Sequence, residues 1–107
     1  MTVTVSVLLV RHGESTWNAV GRWQGQADPP LSERGRAQAR VTDVPEVGLI
    51  VASDLDRARE TAGLLAARAP RRLAVEIDPR LRERDAGAFS GLTRTEIHER
   101  FPGLLPD

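Results

Sequence analysis

Apolar and polar positions alternate where the chain begins. Val3, Val5 and Val7 are separated by Thr4 and Ser6, and Leu8, Leu9 and Val10 then close up into a solid apolar block. Period-two alternation running into a continuous block predicts a first strand over residues 1–10, entering a buried sheet position. No basic segment precedes it, and Arg11 follows where a signal peptide would carry small cleavage-site residues, so the stretch reads as a strand of a cytoplasmic protein. A polar, glycine-containing stretch then runs from Arg11 to Pro30, ending in Asp28-Pro29-Pro30, where proline drives the preceding residue out of helical geometry. Ser32 predicts an N-cap for a helix reaching about Arg40, with Gly35 as its weak point. Pro45 and Gly48 bracket a loop, and Leu49-Ile50-Val51 predicts a second buried strand.

Ser53, with Asp56 three residues later, has the form of a capping-box start. Leu55, Ala58, Ala62, Leu65, Ala66 and Ala69 then recur at helical spacing and give one apolar face, which Pro70 ends. Leu73, Val75 and Ile77 alternate with Ala74 and Glu76 and predict a third strand, broken by Asp78-Pro79. A glycine-rich loop follows to Gly91. Thr93 and Glu96 cap a last short helix carrying Ile97, which Pro102-Gly103 stops. Strands alternating with helices predict the α/β class: a three-layer α/β/α fold with a mostly parallel sheet and helices on both faces. Three strands make a small sheet for that architecture, so the chain reads as truncated.

With 107 residues the chain suffices for one domain. Fifteen acidic residues balance fifteen basic ones, every one of them Arg, and the net charge is zero. That balance speaks against a general nucleic-acid binder, and four aromatic residues offer little stacking surface. The absence of cysteine removes disulfides, thiolate nucleophiles and cysteine-ligated metals. The apolar run Val7 to Val10 is far too short to span a membrane. Neither Gly-x-Gly-x-x-Gly nor a Walker-type Gly-Lys occurs.

In parallel sheets ligands bind beyond the carboxyl ends of the strands, which directs attention to three places. After Val10 stands Arg11-His12-Gly13-Glu14-Ser15, with Asn18 close behind. A fixed guanidinium at Arg11 can hold phosphate oxygens in a fork while a neutral His12 approaches phosphorus, and Gly13 lets the backbone turn and approach a ligand. The alternative is a histidine that packs or caps at a strand end. After Val51, Arg57 falls in the first turn of a helix whose positive end faces the same edge; a surface salt bridge to Asp54 or Glu60 is the competing reading. After Ile77, Glu83 lies between Arg82 and Arg84 near a glycine loop. It is either a proton donor for a leaving alkoxide or one member of a solvated charge run.

Taken together, RHGESTWN after an apolar strand, then GRWQGQADPPLSERGRAQA, SDLDRARETA and LRERDAGAFSGLT, resemble the blocks of the histidine phosphatase (phosphoglycerate mutase-like) superfamily in that family's order, from Val5 to Pro102. The resemblance implies a phosphoric monoester hydrolase for a small phosphorylated metabolite, with His12 as the nucleophile that becomes phosphohistidine. It makes Arg11 and Arg57 phosphate-pocket residues, Asn18 a phosphate or substrate ligand, and Gln24 and Gly25 the loop that touches substrate. Glu83 becomes the general acid and then the base for water. No metal or other cofactor is implied, because guanidinium groups neutralise the phosphoryl oxygens. The family's second histidine, set in a His-Gly context, has no counterpart. His98 lies too early, lacks the following Gly, and reads as an exposed residue of a short charged helix. Residues 1–107 thus resemble the N-terminal part of a single family domain, and without the remainder apolar sheet and helix faces should lie exposed. Two alternatives stand beside the phosphatase: mutase-type phosphoryl transfer, and a non-catalytic phosphate-binding module. The resemblance also allows a homodimer.

Overall fold

A computed structural model describes residues 3–106 of the chain. In chain order its elements are α1 (Thr16–Ala19), α2 (Glu33–Val41), β1 (Ile50–Ala52), α3 (Asp56–Arg68), β2 (Val75–Ile77) and α4 (Arg94–Arg100). Short 3-10 turns occupy Pro79–Leu81 and Gly87–Phe89.

The strands pair in parallel, Ile50 with Val75, Val51 with Glu76 and Ala52 with Ile77. Parallel neighbours need a crossover, and α3 supplies it. It packs on both strands, and α2 packs on α3 in turn. Ala52, Leu55, Ala62 and Leu65 are buried there, with Ala39 contributed by α2. Arg36 Nε donates to Glu60 Oε2 at 2.8 Å across the two helices. The α/β class with a parallel sheet therefore stands.

The helix limits follow local chemistry. Ser32 caps α2 through its hydroxyl, which accepts from the Gly35 amide at 3.1 Å. In α4 the Thr93 hydroxyl accepts from the Glu96 amide and the Glu96 carboxylate accepts from the Thr93 amide, a complete capping box. Ile97 is fully buried beneath it. The start of α3 differs from expectation. Its N-cap is Leu55 with no side-chain cap bond, and Ser53 Oγ accepts instead from the Leu55 amide. The Asp56 amide is satisfied from 28 residues upstream, by Asp28 Oδ1 at 2.6 Å. The helix ends at Arg68, just ahead of Pro70.

The first strand does not form. Among the described residues, 3–14 take no regular structure, and residues 1 and 2 of the expected strand lie outside the description. Val3 is 80% exposed, Val7 77% and Leu9 89%, so the apolar block is not buried. A strand can satisfy its backbone only through a neighbour, and β1 pairs with β2 alone in this sheet. Apolar surface is exposed elsewhere at the sheet too, at Leu49 and Val51. The accessible area is 7611 Å², against roughly 5,900 Å² expected for a compact monomer of this mass. The radius of gyration, 16.4 Å, likewise exceeds the ~13 Å of a compact chain.

A second cluster of packing lies around α4. Trp23, Phe89 and Phe101 meet edge to face, with ring centroids 5.7 Å and 5.4 Å apart. The amides of Trp23 and Gly91 donate to the carbonyls of Leu92 and Trp23, at 2.9 and 2.7 Å, and tie the 22–23 segment to the start of α4.

Candidate active site

His12 follows the exposed apolar block and is half-buried. Its Nδ1 lies 2.6 Å from the Gly13 carbonyl oxygen. A carbonyl only accepts, so Nδ1 is the donor, and in the neutral ring this tautomer puts the lone pair on Nε2. The Gly13 amide donates to Thr61 Oγ1 at 3.1 Å, and the Thr61 hydroxyl donates to the Arg57 carbonyl at 2.7 Å. Gly13 has no positive φ, so a sharp turn is not why glycine stands there. A Cβ at Gly13 would sit 2.4 Å from the Gly35 carbonyl oxygen, and one at Gly35 would sit 2.0 Å from that of Glu14. The two glycines interlock backbone against backbone, which also explains a helix-weakening residue in the first turn of α2. Ser32 extends the junction, its amide donating to the Glu14 carbonyl at 2.9 Å and its hydroxyl to Glu14 Oε1 at 2.8 Å.

Arg57, in the first turn of α3, is 1% exposed. Its NH1 donates to the Ala27 carbonyl at 2.8 Å, and its NH2 donates to the Gly25 carbonyl and to Glu83 Oε2, the latter at 3.1 Å. Among the described residues these bonds leave the Nε–H and one NH1 hydrogen unengaged. Gly25 is needed where it stands: its φ is +49°, and a Cβ would lie 2.3 Å from the Ala86 nitrogen. Neither carboxylate expected beside Arg57 is its partner, since Asp54 pairs with Arg82 and Glu60 with Arg36.

Glu83 has a side chain 55% exposed. Its carbonyl accepts from Gln26 Nε2 at 3.3 Å. The preceding residue, Arg82, grips Asp54 in a fork, Nε to Oδ1 at 2.6 Å and NH2 to Oδ2 at 2.5 Å. That hydrogen bonding is the main reason the Asp54 carboxyl is held below the usual carboxylate range and the Arg82 guanidinium is held above its own.

Arg11, His12, Arg57 and Glu83 line one open cleft of about 460 Å³, whose lining also includes apolar residues such as Leu8, Leu49 and Val51. A second concavity of about 590 Å³ is lined by Asn18, Trp23, Gln24, Gly25, Arg84 and Phe89 among others. Glu83 lines both. Asn18 is exposed, and its Oδ1 accepts from the Ser15 amide at 3.0 Å, which leaves the amide nitrogen as its outward group. Gln24 is buried and its Oε1 accepts from Ser15 Oγ at 2.6 Å. Gly13 lines neither space, and His98 lies half-buried on α4, also away from both.

The structure adds Thr61, Asp28, Asp54 and Arg82 to the residues that hold this site. Thr61 was readable as the residue one helical turn beyond Arg57 on the same face. The other three act across 28 residues of chain and left no local signal. Among the described residues no group of His, Asp and Glu is arranged to hold a metal ion, and no helix is long and apolar enough to cross a membrane.

Comparison with known proteins gives a consistent picture. The family model of the histidine phosphatase superfamily (branch 1) matches residues 7–106. Phosphoserine phosphatase 1 of Hydrogenobacter thermophilus is 40% identical over 102 residues, covering 92% of this chain and 47% of that protein. The Probable phosphoglycerate mutase GpmB of Enterobacter sp. (strain 638) is 38% identical, covering 96% of this chain and 54% of that one. A mycobacterial glucosyl-3-phosphoglycerate phosphatase solved with VO3 superposes with a TM-score of 0.75 at 41% identity, over 87% of this chain and 46% of the other. The chain thus spans about half the length of the relatives it matches.

Proposed function

The chain belongs to the histidine phosphatase superfamily, and from that premise we propose that it transfers the phosphoryl group of a small phosphomonoester to His12 and then to water. The observation that carries this reading is the His12 Nδ1 bond to the Gly13 carbonyl. In the neutral ring that bond makes Nε2 the nitrogen with the lone pair, on a side chain lining the same cleft as Arg11, Arg57 and Glu83. On this reading residues 1–107 supply the N-terminal part of one family domain.

The reaction follows from the groups available. Arg11, which has no hydrogen-bond partner among the described residues, and the remaining N–H groups of Arg57 neutralise the phosphoryl oxygens. Nε2 attacks phosphorus, the phosphorus–oxygen ester bond breaks, and the departing alkoxide takes a proton from the Glu83 carboxyl. Glu83, now a carboxylate, accepts a proton from water as the water oxygen attacks phosphohistidine. The phosphorus–nitrogen bond breaks, inorganic phosphate leaves, and both groups return to their starting state. No step calls for a metal, since fixed positive charge and a covalent intermediate do its work. The Asn18 amide nitrogen, with Gln24 and Gly25 behind it, faces the leaving group in the second concavity. Gly13 contributes by fixing the height of His12.

The test is hydrolysis of para-nitrophenyl phosphate near pH 6 by the folded chain and by His12→Ala, with radiolabelled phosphate trapped on the protein as an alkali-stable, acid-labile adduct. Turnover and adduct both lost in His12→Ala is the expected result. Adduct that returns its phosphate to a sugar acid rather than to water would favour the mutase reading, which the similarity to the Enterobacter protein supports. Phosphate binding without adduct would mark a binding module.

A further inference from the structure

The fork between Arg82 and Asp54 takes no part in the chemistry above, yet it ends one residue short of the proposed acid. Asp54 leaves the carboxyl end of β1 and Arg82 lies in the segment leaving β2, so parallel pairing brings both to one edge of the sheet. The fork closes that edge through two hydrogen bonds of 2.6 and 2.5 Å. Arg82 has φ −56° and ψ 147°, a polyproline-like backbone. With three residues per turn, consecutive side chains there are turned about 120° from one another. Anchoring Arg82 on Asp54 therefore turns Glu83 away from that fork, and its carboxylate meets Arg57 at 3.1 Å.

The fork also sorts the charges. Arg57 reaches Glu83 from α3, and Arg11 and His12 line the same cleft. Arg82, Arg84 and Asp85 belong to the loop of Glu83 itself, and Asp54 and Asp28 act on Arg82. With Asp54 in place, Arg82 has its counter-charge and does not compete with Arg57 for the Glu83 carboxyl. The two guanidinium groups are kept on separate carboxylates by geometry that a lysine could not reproduce.

We propose that Asp54, acting through Arg82, is a positioning residue that aims Glu83 at the leaving-group oxygen. The proposal rests on the reading of Glu83 as the proton donor.

Arg82→Ala, Arg82→Lys and Asp54→Asn test it on two esters. The phenolate of para-nitrophenyl phosphate leaves with little help from a proton, whereas glycerol 3-phosphate leaves as an alkoxide that needs one, and general-acid help there is worth about 10²- to 10⁴-fold. Arg82→Ala and Asp54→Asn should lower kcat/KM, which ends at departure of the leaving group and leaves out the water step common to both esters, at least about tenfold on glycerol 3-phosphate and by less than about twofold on para-nitrophenyl phosphate. Arg82→Lys should recover only part of the loss. Equal losses of kcat/KM on both esters, or none on glycerol 3-phosphate, would overturn the proposal, because a purely structural fork cannot tell leaving groups apart. A second measurement needs no turnover. The guanidinium 15N–1H signals of Arg57 should move in Arg82→Ala as they do in Glu83→Gln, and unmoved signals would equally overturn it. A folded wild-type chain that hydrolyses neither ester would count against the phosphatase reading, and the Arg57 signals would then decide the positioning question alone.

Discussion

Residues 3–10 and residues 91–101 make opposite use of apolar side chains. In the first stretch six of eight residues are apolar, yet all six are more than half exposed. In the second, three of eleven are apolar, and Ile97 and Leu92 among them are buried at 0% and 8% exposure. The difference lies in where each backbone finds its hydrogen bonds. Segment α4 satisfies its own, through helical bonds and the Thr93–Glu96 capping box, and Phe101 at its end joins the cluster with Phe89 and Trp23. The N-terminal segment has a strand's side-chain pattern, and a strand's backbone is satisfied only by a neighbour. Apolar content supplies a driving force; burial also requires backbone partners within reach.

The sharpest way to break this contrast is Ile97→Ala. Removing a fully enclosed branched side chain should cost about 2–5 kcal/mol in urea unfolding; a cost below about 0.5 kcal/mol, the usual range for surface changes, would show that α4 is no better packed than the N-terminal segment. A smaller effect should appear with acid. The Glu96 carboxyl is held below its ordinary range chiefly by the Thr93 amide, then by the Thr93 hydroxyl, with the Arg22 and Arg100 charges adding to these. A carboxyl lowered by folding stabilises at pH above its unfolded value of about 4.3 and loses that contribution as pH falls through the lower folded value. The unfolding midpoint of the wild type should therefore fall faster than that of Glu96→Gln between about pH 5 and pH 3. Parallel curves would remove Glu96 from the account. The smallest expected effect is that of Leu9→Ser, within about 0.5 kcal/mol on unfolding because the side chain is already in water. The same change should reduce light scattering at high concentration, and a large destabilisation would mean that the segment is packed after all.

What the sequence made legible divides along the same line. Helices α2, α3 and α4 were readable because spacing and caps are local: Ser32, Pro70 and the Thr93–Glu96 pair mark ends within a few residues. Strands β1 and β2 were found to within a residue or two, since their apolar runs sit between clear breakers. The first strand failed because a ladder partner is not written into the strand itself. At the site, the rule that ligands gather at the carboxyl edge of a parallel sheet brought Arg11, His12, Arg57 and Glu83 together, and the structure puts them around one cleft. Partner choice was not legible. Arg57 was set against Asp54 or Glu60 by proximity in sequence, whereas its NH2 meets Gly25 and Glu83. Long-range pairing depends on how the loops around Gly25 and Ala86 nest, and no periodicity encodes that.

The interlock of Gly13 and Gly35 has a consequence of another kind. Most neighbours in a protein touch through side chains, which can rotate and absorb a small error, but here main chain rests on main chain with nothing compressible between. Helix α2 thus acts as a mechanical stop for the histidine segment. A methyl group added on either side would meet main-chain atoms at 2.4 or 2.0 Å, so the backbone beside His12, rather than a side chain, would have to move.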